Sequence, residues 1–484
     1  MHEGWRQRLG DLVVRRPRQR AVQSVHLKPH RERRFFLSPA TSALLSLTGG
    51  FALLIAVGTV MLEAPFASVD EGSTSFLTAL FTATSAACVT GLVVVDTATY
   101  WTGFGQFVIA MLMFMGGLGI MTAGALLLLA LGRRLTLTNR LVLREPMGAA
   151  TLGGVSRLGT QVLLFVVGVQ AVGFIVLFLK FLGNFSVGEA AWQALFHAIS
   201  SFNNGGFVIL PNSQSLSAYQ DDHLLLAVMG VLIVLGAISF SVVADLAAGR
   251  RFNRLSLDTR LVVMGTVFLW LLGGLAMLLF ELDNPETLGG LSVADQVGNV
   301  LFQTVTSRTA GFSTLDFGAT RSATDAVYMV LMFIGGAAAS TAGGIKVNTA
   351  MVLLIAAWAS VQGRSRAEVF KREVPYAQVA RAMALVVLSL VMLFSIVLAL
   401  AWAEDARLRT GEFEFMDLMF EAFSAIGTTG LSRGISPDLS ELGKYIVTLA
   451  MYLGRLGPLS IALGLALRER RAIYRYAEEK VRIG

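Results

Sequence analysis

Apolar residues gather along this chain into long blocks separated by short polar stretches. Seven blocks, Ser42–Leu62, Gly103–Leu131, Gly159–Leu182, Leu224–Ala248, Leu261–Phe280, Val379–Ala403 and Tyr445–Leu467, each hold 20 or more residues. At 1.5 Å per residue, a helix of that length crosses the ~30 Å hydrocarbon core of a bilayer. The first block begins near position 40, behind a basic arm, and reads as a retained helix rather than a short cleavable leader. The pattern predicts an all-α polytopic membrane protein.

A second, longer period runs through the chain. Between long blocks lie four shorter, semi-apolar segments, each ending on glycine before a large apolar residue. They run from Leu80-Phe81 to Val89-Thr90-Gly91-Leu92, and from Leu195-Phe196 to Asn204-Gly205-Gly206-Phe207. The third and fourth run from Leu301-Phe302 to Arg308-Thr309-Ala310-Gly311-Phe312, and from Met419-Phe420 to Thr428-Thr429-Gly430-Leu431. Each carries an aromatic residue about ten positions before its glycine, and the glycines recur at intervals of 105 to 119 residues. Repetition on that scale decides a fold more firmly than any single motif. It divides the chain into a basic arm (1–35) and four repeats, 36–132, 133–249, 250–362 and 363–484.

Such segments are too short to span, and irregular backbone at membrane depth survives only when buried in protein or lining water. A half-helix that enters and returns as an extended loop meets that condition, and its carboxyl end favours a cation. The expected architecture is four helix–pore loop–helix repeats arranged pseudo-fourfold around one ion pore. Backbone carbonyls of Gly91, Gly206, Gly311 and Gly430 would replace the ion's water shell, with glycine permitting the positive φ that turns successive carbonyls one way. The second long block of each repeat also carries glycine, and helix breaks are expected at Gly116-Gly117, Gly236, Gly335-Gly336 and Gly454 to Pro458. The extreme case is Gly335-Gly336-Ala337-Ala338-Ala339-Ser340-Thr341-Ala342-Gly343-Gly344-Ile345-Lys346. Twelve residues with so little bulk read as a flexible loop under the filter; close helix packing is the rival reading.

Composition and charge sharpen this picture. The chain is 55% hydrophobic and only 15% charged, against about 25% charged in soluble domains. About 30 of the 39 basic residues fall in five segments: Arg6–Arg34, Arg133–Arg157, Arg250–Arg260, Arg364–Arg381 and the tail from Arg468. An excess of positive charge marks cytoplasmic loops, which places both termini inside the cell and leaves Asp70, Glu71, Asp96, Asp221, Asp222, Asp283, Glu286, Asp316, Glu404 and Asp405 outside, where acids concentrate cations. The basic isoelectric point belongs to the inner face and implies no nucleic acid. The single cysteine, Cys88, excludes an internal disulfide. The five histidines are scattered without metal-site spacing. Lys346 does not follow glycine directly as a phosphate-binding loop requires, and no set of catalytic residues supports an enzyme.

Three cations fall at membrane depth, where each must be paired or hydrated. Arg308 is expected to pair with Glu421 on the fourth short segment. Lys346 either snorkels to the inner interface or holds the small-residue loop. Arg455 either faces the axis as a barrier to cations or packs on backbone carbonyls.

Together the four glycine motifs, the Gly335–Lys346 loop, Arg455 with Gly457-Pro458, and the tail Tyr474 to Gly484 resemble the KtrB/TrkH/HKT superfamily of potassium transporters, in its KtrB branch. The resemblance implies a homodimer in the cell membrane, with each protomer conducting separately. It also implies a cytoplasmic KtrA-like ring of RCK subunits that binds ATP or ADP, potassium as substrate and sodium as activator, with no cofactor on this chain. It maps the selectivity filter onto Val89-Thr90-Gly91, Asn204-Gly205-Gly206, Thr309-Ala310-Gly311 and Thr428-Thr429-Gly430. It maps the gate onto residues 335–346 and Arg455. Glycine rather than serine at position 91 points to potassium; sodium or weakly selective cation transport on the same scaffold is the alternative. Gly205 and Cys88 depart from the family pattern, and the basic arm reads equally as a segment binding lipid or the partner ring and as a solvated tail.

Overall fold

The computed structural model describes residues 39–69, 74–132, 152–211, 215–249 and 251–467. The basic arm, the stretch 133–151 and the tail beyond Leu467 lie outside the described residues. Among the described residues the chain is mostly helix. The first quarter contains α1 (Pro39–Glu63), α2 (Phe76–Ala87), the single turn α3 (Thr97–Tyr100) and α4 (Gly103–Gly132). The second contains α5 (Leu152–Phe181), α6 (Val187–Asn203), α7 (His223–Ala237) and α8 (Phe240–Ala247). The third contains α9 (Leu257–Glu281), α10 (Val293–Thr306), α11 (Ser322–Phe333) and α12 (Val347–Val361). A two-residue hairpin, β1 (Glu368–Val369) against β2 (Arg372–Glu373), leads into the fourth. That quarter contains α13 (Tyr376–Ala403), α14 (Asp405–Thr410), α15 (Phe415–Gly427) and α16 (Glu441–Leu467). Six of the seven long apolar blocks lie along a single helix each, and Leu224–Ala248 is divided between α7 and α8.

Local chemistry sets where the short helices begin. Ser75, Ser186 and Ser292 cap α2, α6 and α10 by accepting the N–H of the residue three places on, and Glu414 forms a capping box with Asp417 at α15. Such caps satisfy amide donors that the first turn would otherwise leave orphaned. At 12, 17, 14 and 13 residues, these helices are too short to cross a bilayer. By contrast Gly159–Phe181, Leu257–Glu281 and Tyr376–Ala403 are long and apolar enough to span it. On α9, Met264, Val267, Phe268, Leu271, Leu275, Leu278 and Leu279 are exposed while Leu261, Leu269, Ala276 and Met277 are buried. An exposed stripe of that size at helical spacing would not survive in water and suits contact with lipid.

The core is divided into four main clusters, and each borrows residues from the next quarter. Phe196 and Phe207 pack with Ile55, Leu62 and Leu112 of the first quarter. Phe302 and Phe312 pack with Val166, Leu177 and Leu225 of the second, and Phe420 and Leu431 with Leu269, Met277 and Tyr328 of the third. The cycle closes because Phe81 and Leu92 of the first quarter pack with Leu393, Leu400 and Val447 of the fourth. The aromatic residue nine or ten positions before each glycine is therefore a packing wedge. Accordingly α16 lies against α1 and α2, joining the end of the described chain to its start.

The glycine-rich blocks do not all break. A break occurs after Gly236, where α7 and α8 meet at 103°, and at Gly335, where helix stops at Phe333 and resumes at Val347. In contrast α4 continues through Gly116-Gly117 and α16 through Gly454 to Pro458, which corrects the expected interruptions. The physical reason is lateral: a methyl group on Gly116 would fall 1.9 Å from the Ala87 carbonyl oxygen, and one on Gly454 would fall 2.2 Å from that of Ile426. These glycines let a neighbouring short helix end against the long helix without disturbing its own hydrogen bonds.

Candidate functional site

Each short helix runs out into the same backbone figure. Val89, Asn204, Thr309 and Thr428 have φ of 55°, 61°, 70° and 47°, and two residues later Gly91, Gly206, Gly311 and Gly430 have φ of 93°, 73°, 80° and 96°. A left-handed residue other than glycine costs about 1–3 kcal/mol unless its surroundings enforce it. Four at matching positions identify a shared, enforced conformation. The residues between them, Thr90, Gly205, Ala310 and Thr429, are fully or almost fully enclosed.

Hydrogen bonds from the short helices hold this figure. Thr90, Gly205, Ala310 and Thr429 donate their N–H groups to the carbonyls of Ser85 (2.7 Å), Ser200 (2.7 Å), Thr306 (3.0 Å) and Ser424 (2.9 Å). The same four hydroxyl residues act again through their side chains. Ser85 Oγ and Ser424 Oγ accept the N–H of Gly91 (3.1 Å) and Gly430 (3.0 Å), while Ser200 Oγ and Thr306 Oγ1 donate to the carbonyls of Phe207 and Phe312, both at 2.8 Å. Sequence reasoning did not single out this quartet. Its signal was present, a hydroxyl residue five or six positions before every glycine of the series.

The four glycines form a closed ring in chain order. A methyl group on Gly91 would fall 2.9 Å from Gly206 Cα, and one on Gly206 would fall 3.4 Å from Gly311 Cα. On Gly311 it would fall 2.9 Å from Gly430 Cα, and on Gly430 3.0 Å from Gly91 Cα. At each position an added methyl would meet neighbouring main chain within 3.0 Å, so a side chain there would force the ring to shift.

Beside the ring lies the segment 334–346. Its ends are joined: Gly335 N–H donates to Ile345 O (2.9 Å), Ile345 N–H to Phe333 O (3.0 Å) and Val347 N–H to Gly336 O (3.0 Å). The residues between loop out through two left-handed positions, Ala339 and Gly344. Ala337 and Thr341 donate N–H to the carbonyls of Ala237 (2.9 Å) and Gly236 (3.2 Å) at the end of α7. Ala338 N–H reaches Asn348 Oδ1 at 3.2 Å, and Ser340 Oγ caps Ala337 O at 2.7 Å. The loop also touches three of the four left-handed residues. Thr341 Oγ1 lies 3.5 Å from Asn204 Oδ1, Gly343 N–H donates to Thr309 Oγ1 at 3.2 Å, and a methyl on Gly343 would collide with Thr428 Oγ1. Ala342 is completely buried.

The three deep cations resolve as follows. Arg308 does not pair with Glu421. Its Nη2 donates to Gly335 O at 2.7 Å, and Glu421 is instead satisfied by Ser432 Oγ (2.8 Å) and Ser436 Oγ. A carboxylate met by two hydroxyls has no need of a cation, and the arginine serves a backbone carbonyl. Lys346 Nζ donates to Ala342 O and to Gly343 O (3.4 Å), so it holds the loop. Arg455 Nη1 donates to Thr341 O at 2.5 Å. A third arginine, Arg433, three residues past Gly430, bridges Asp325 and Asp417 (2.5 Å). It ties the exit of the fourth segment to the start of α11.

A helical scaffold with lipid-suited faces, enclosing a main-chain ring at the carboxyl ends of four short helices, defines a membrane protein that handles cations. The comparisons specify which kind: the family model described as a cation transport protein, TrkH, matches residues 51–474, and the chain belongs to the TrkH family. It is 38% identical to the Ktr system potassium uptake protein B of Bacillus subtilis over 90% of this chain and 95% of that one. It is 36% identical to the potassium/sodium uptake protein NtpJ of Enterococcus hirae over 90% and 96%. Its fold matches the potassium transporter TrkH from Vibrio parahaemolyticus with a TM-score of 0.68 at 19% identity, covering 89% and 86% of the two chains.

Proposed function

We propose that this protein takes up potassium across the cell membrane through a single-file pore bounded by four helix–pore loop–helix repeats in pseudo-fourfold array. The observation that carries the reading is the closed ring of Gly91, Gly206, Gly311 and Gly430, each two residues past a left-handed residue at a short helix's carboxyl end. Alternating backbone handedness directs successive carbonyls to one side, and four helix carboxyl ends add partial negative charge. The buried hydroxyls of Thr90 and Thr428 and the Asn204 amide nitrogen find no protein partner, as suits a hydrated path. In this reading residues 335–346 with Arg455 form the gate, and both termini are cytoplasmic. A homodimer works with a cytoplasmic RCK ring that binds ATP or ADP, and sodium activates uptake. The relatives' names support the substrate, and the name of NtpJ keeps sodium as the second reading.

The test is rubidium uptake into proteoliposomes holding the purified chain, with sodium as competitor and then as activator. Selective uptake of rubidium is expected; equal sodium uptake would replace the potassium assignment. Gly91→Ser should raise sodium relative to rubidium uptake, because its Cβ would fall 2.8 Å from the Gly205 carbonyl oxygen at a φ of 93°. An unchanged ratio in folded protein would count against the ring as the filter.

A further inference from the structure

The loop 334–346 is held by many contacts, but only one ring segment grips both of its ends. Arg308 and Thr309 are consecutive residues of the third segment. The first donates to the carbonyl of Gly335, where the loop leaves α11, and the second accepts the N–H of Gly343, where it returns. Between these points the loop's own ends are closed on each other, and a methyl on Gly335 would fall 2.0 Å from Gly343 O and 3.2 Å from Thr309 Cγ2. The second segment touches the loop only at Thr341, whose Oγ1 donates to Phe202 O at 3.3 Å and lies 3.5 Å from Asn204 Oδ1, and the fourth packs Gly427 and Thr428 only against Gly343. Arg308 is 4% exposed, and its Nε has no hydrogen-bond partner. A guanidinium so enclosed, hydrogen-bonded to the Gly335 carbonyl, cannot follow the loop outward without dragging its own backbone. That backbone is the residue next to Thr309, whose left-handed φ of 70° begins the ring segment.

We infer that Arg308 and Thr309 are positioning residues that lock the loop to the third ring segment, so that displacing the loop alters cation discrimination through this one quarter. The inference rests on the proposed reading of the ring as a filter. It goes beyond a loop that opens and closes an otherwise unchanged pore. It makes open probability and selectivity two readouts of one tether. Loss of a hydrogen bond to a charged donor displaces such an equilibrium about tenfold or more.

The experiment places a reporter cysteine at half-buried Ala338 in the full chain, where Cys88 is fully buried. Maleimide labelling reports loop position, and the sodium-to-rubidium uptake ratio in proteoliposomes reports the ring. Arg308→Gln should label about tenfold faster and raise the ratio about threefold, and Arg308→Lys, which keeps a donor for Gly335, should recover most of both. Thr309→Val should move both readouts the same way by a smaller factor, and it carries the test if Arg308→Gln does not fold. Unchanged labelling would overturn the tether. Faster labelling with an unchanged ratio would overturn the coupling, leaving Arg308 a structural clamp. If the unsubstituted protein itself does not discriminate, the potassium reading fails, and the labelling comparison alone decides the tether.

Discussion

The first and third quarters place a Gly-Gly pair at the same point in the long helix that follows the ring segment, with opposite results. In α4, Gly116 and Gly117 leave a 30-residue helix unbroken and use their lack of side chains to admit Ala87 O and Asn203 Oδ1 from the side. In the third quarter the helix parts at Gly335, and the freed backbone groups are taken up by Arg308, Ala237, Thr309 and the loop's opposite end. Glycine alone does not break a helix in a membrane. The break forms where the surroundings offer other partners to N–H and C=O groups, each of which costs several kcal/mol if left bare.

The largest test of that contrast is deletion. Removing Ala337–Gly343 should raise rubidium flux about tenfold if the segment is a gate, since a single charge-assisted contact already holds the loop by about that factor. Removing seven residues from Gly116 to Thr122 should leave no folded protein on gel filtration. Unchanged or lower flux after the first deletion would assign the loop to packing. Next in size is Arg433→Gln, which leaves buried Asp325 without its cation. A loss of about 3 kcal/mol is expected, read as a fall in thermal unfolding temperature. Gly116→Ala should cost about 1–3 kcal/mol by overpacking against a backbone oxygen. Gly335→Ala meets a carbonyl of the loop itself and should change flux more than unfolding temperature. Smallest is Gly168→Ala on α5, which meets nothing within 4 Å; stability should shift by no more than about 1 kcal/mol.

Much of this scaffold is readable from the chain. Six of the seven apolar blocks form single helices, the glycines at 91, 206, 311 and 430 sit at positive φ, and the aromatic nine or ten residues before each is buried. Those features depend on periodicity and on what glycine alone can do. Whether Gly116 bends its helix depends on Ala87, brought close only by tertiary packing. The partner of Arg308 escaped for a related reason: Glu421 is the nearest answer by charge, yet a main-chain carbonyl, invisible in any list of side chains, takes the arginine. The quartet Ser85, Ser200, Thr306 and Ser424 was visible as a spacing but looks ordinary until the amide and carbonyl groups it serves are known.

The ring comes from four unequal segments of one polypeptide. In an assembly of identical subunits, any substitution changes every wall at once. Here Val89, Asn204, Thr309 and Thr428 share one conformation but no single chemistry, and each can be altered while three neighbours stay as they were. In the proposed reading of the ring as a filter, permeation is adjusted in quarter steps, one segment at a time.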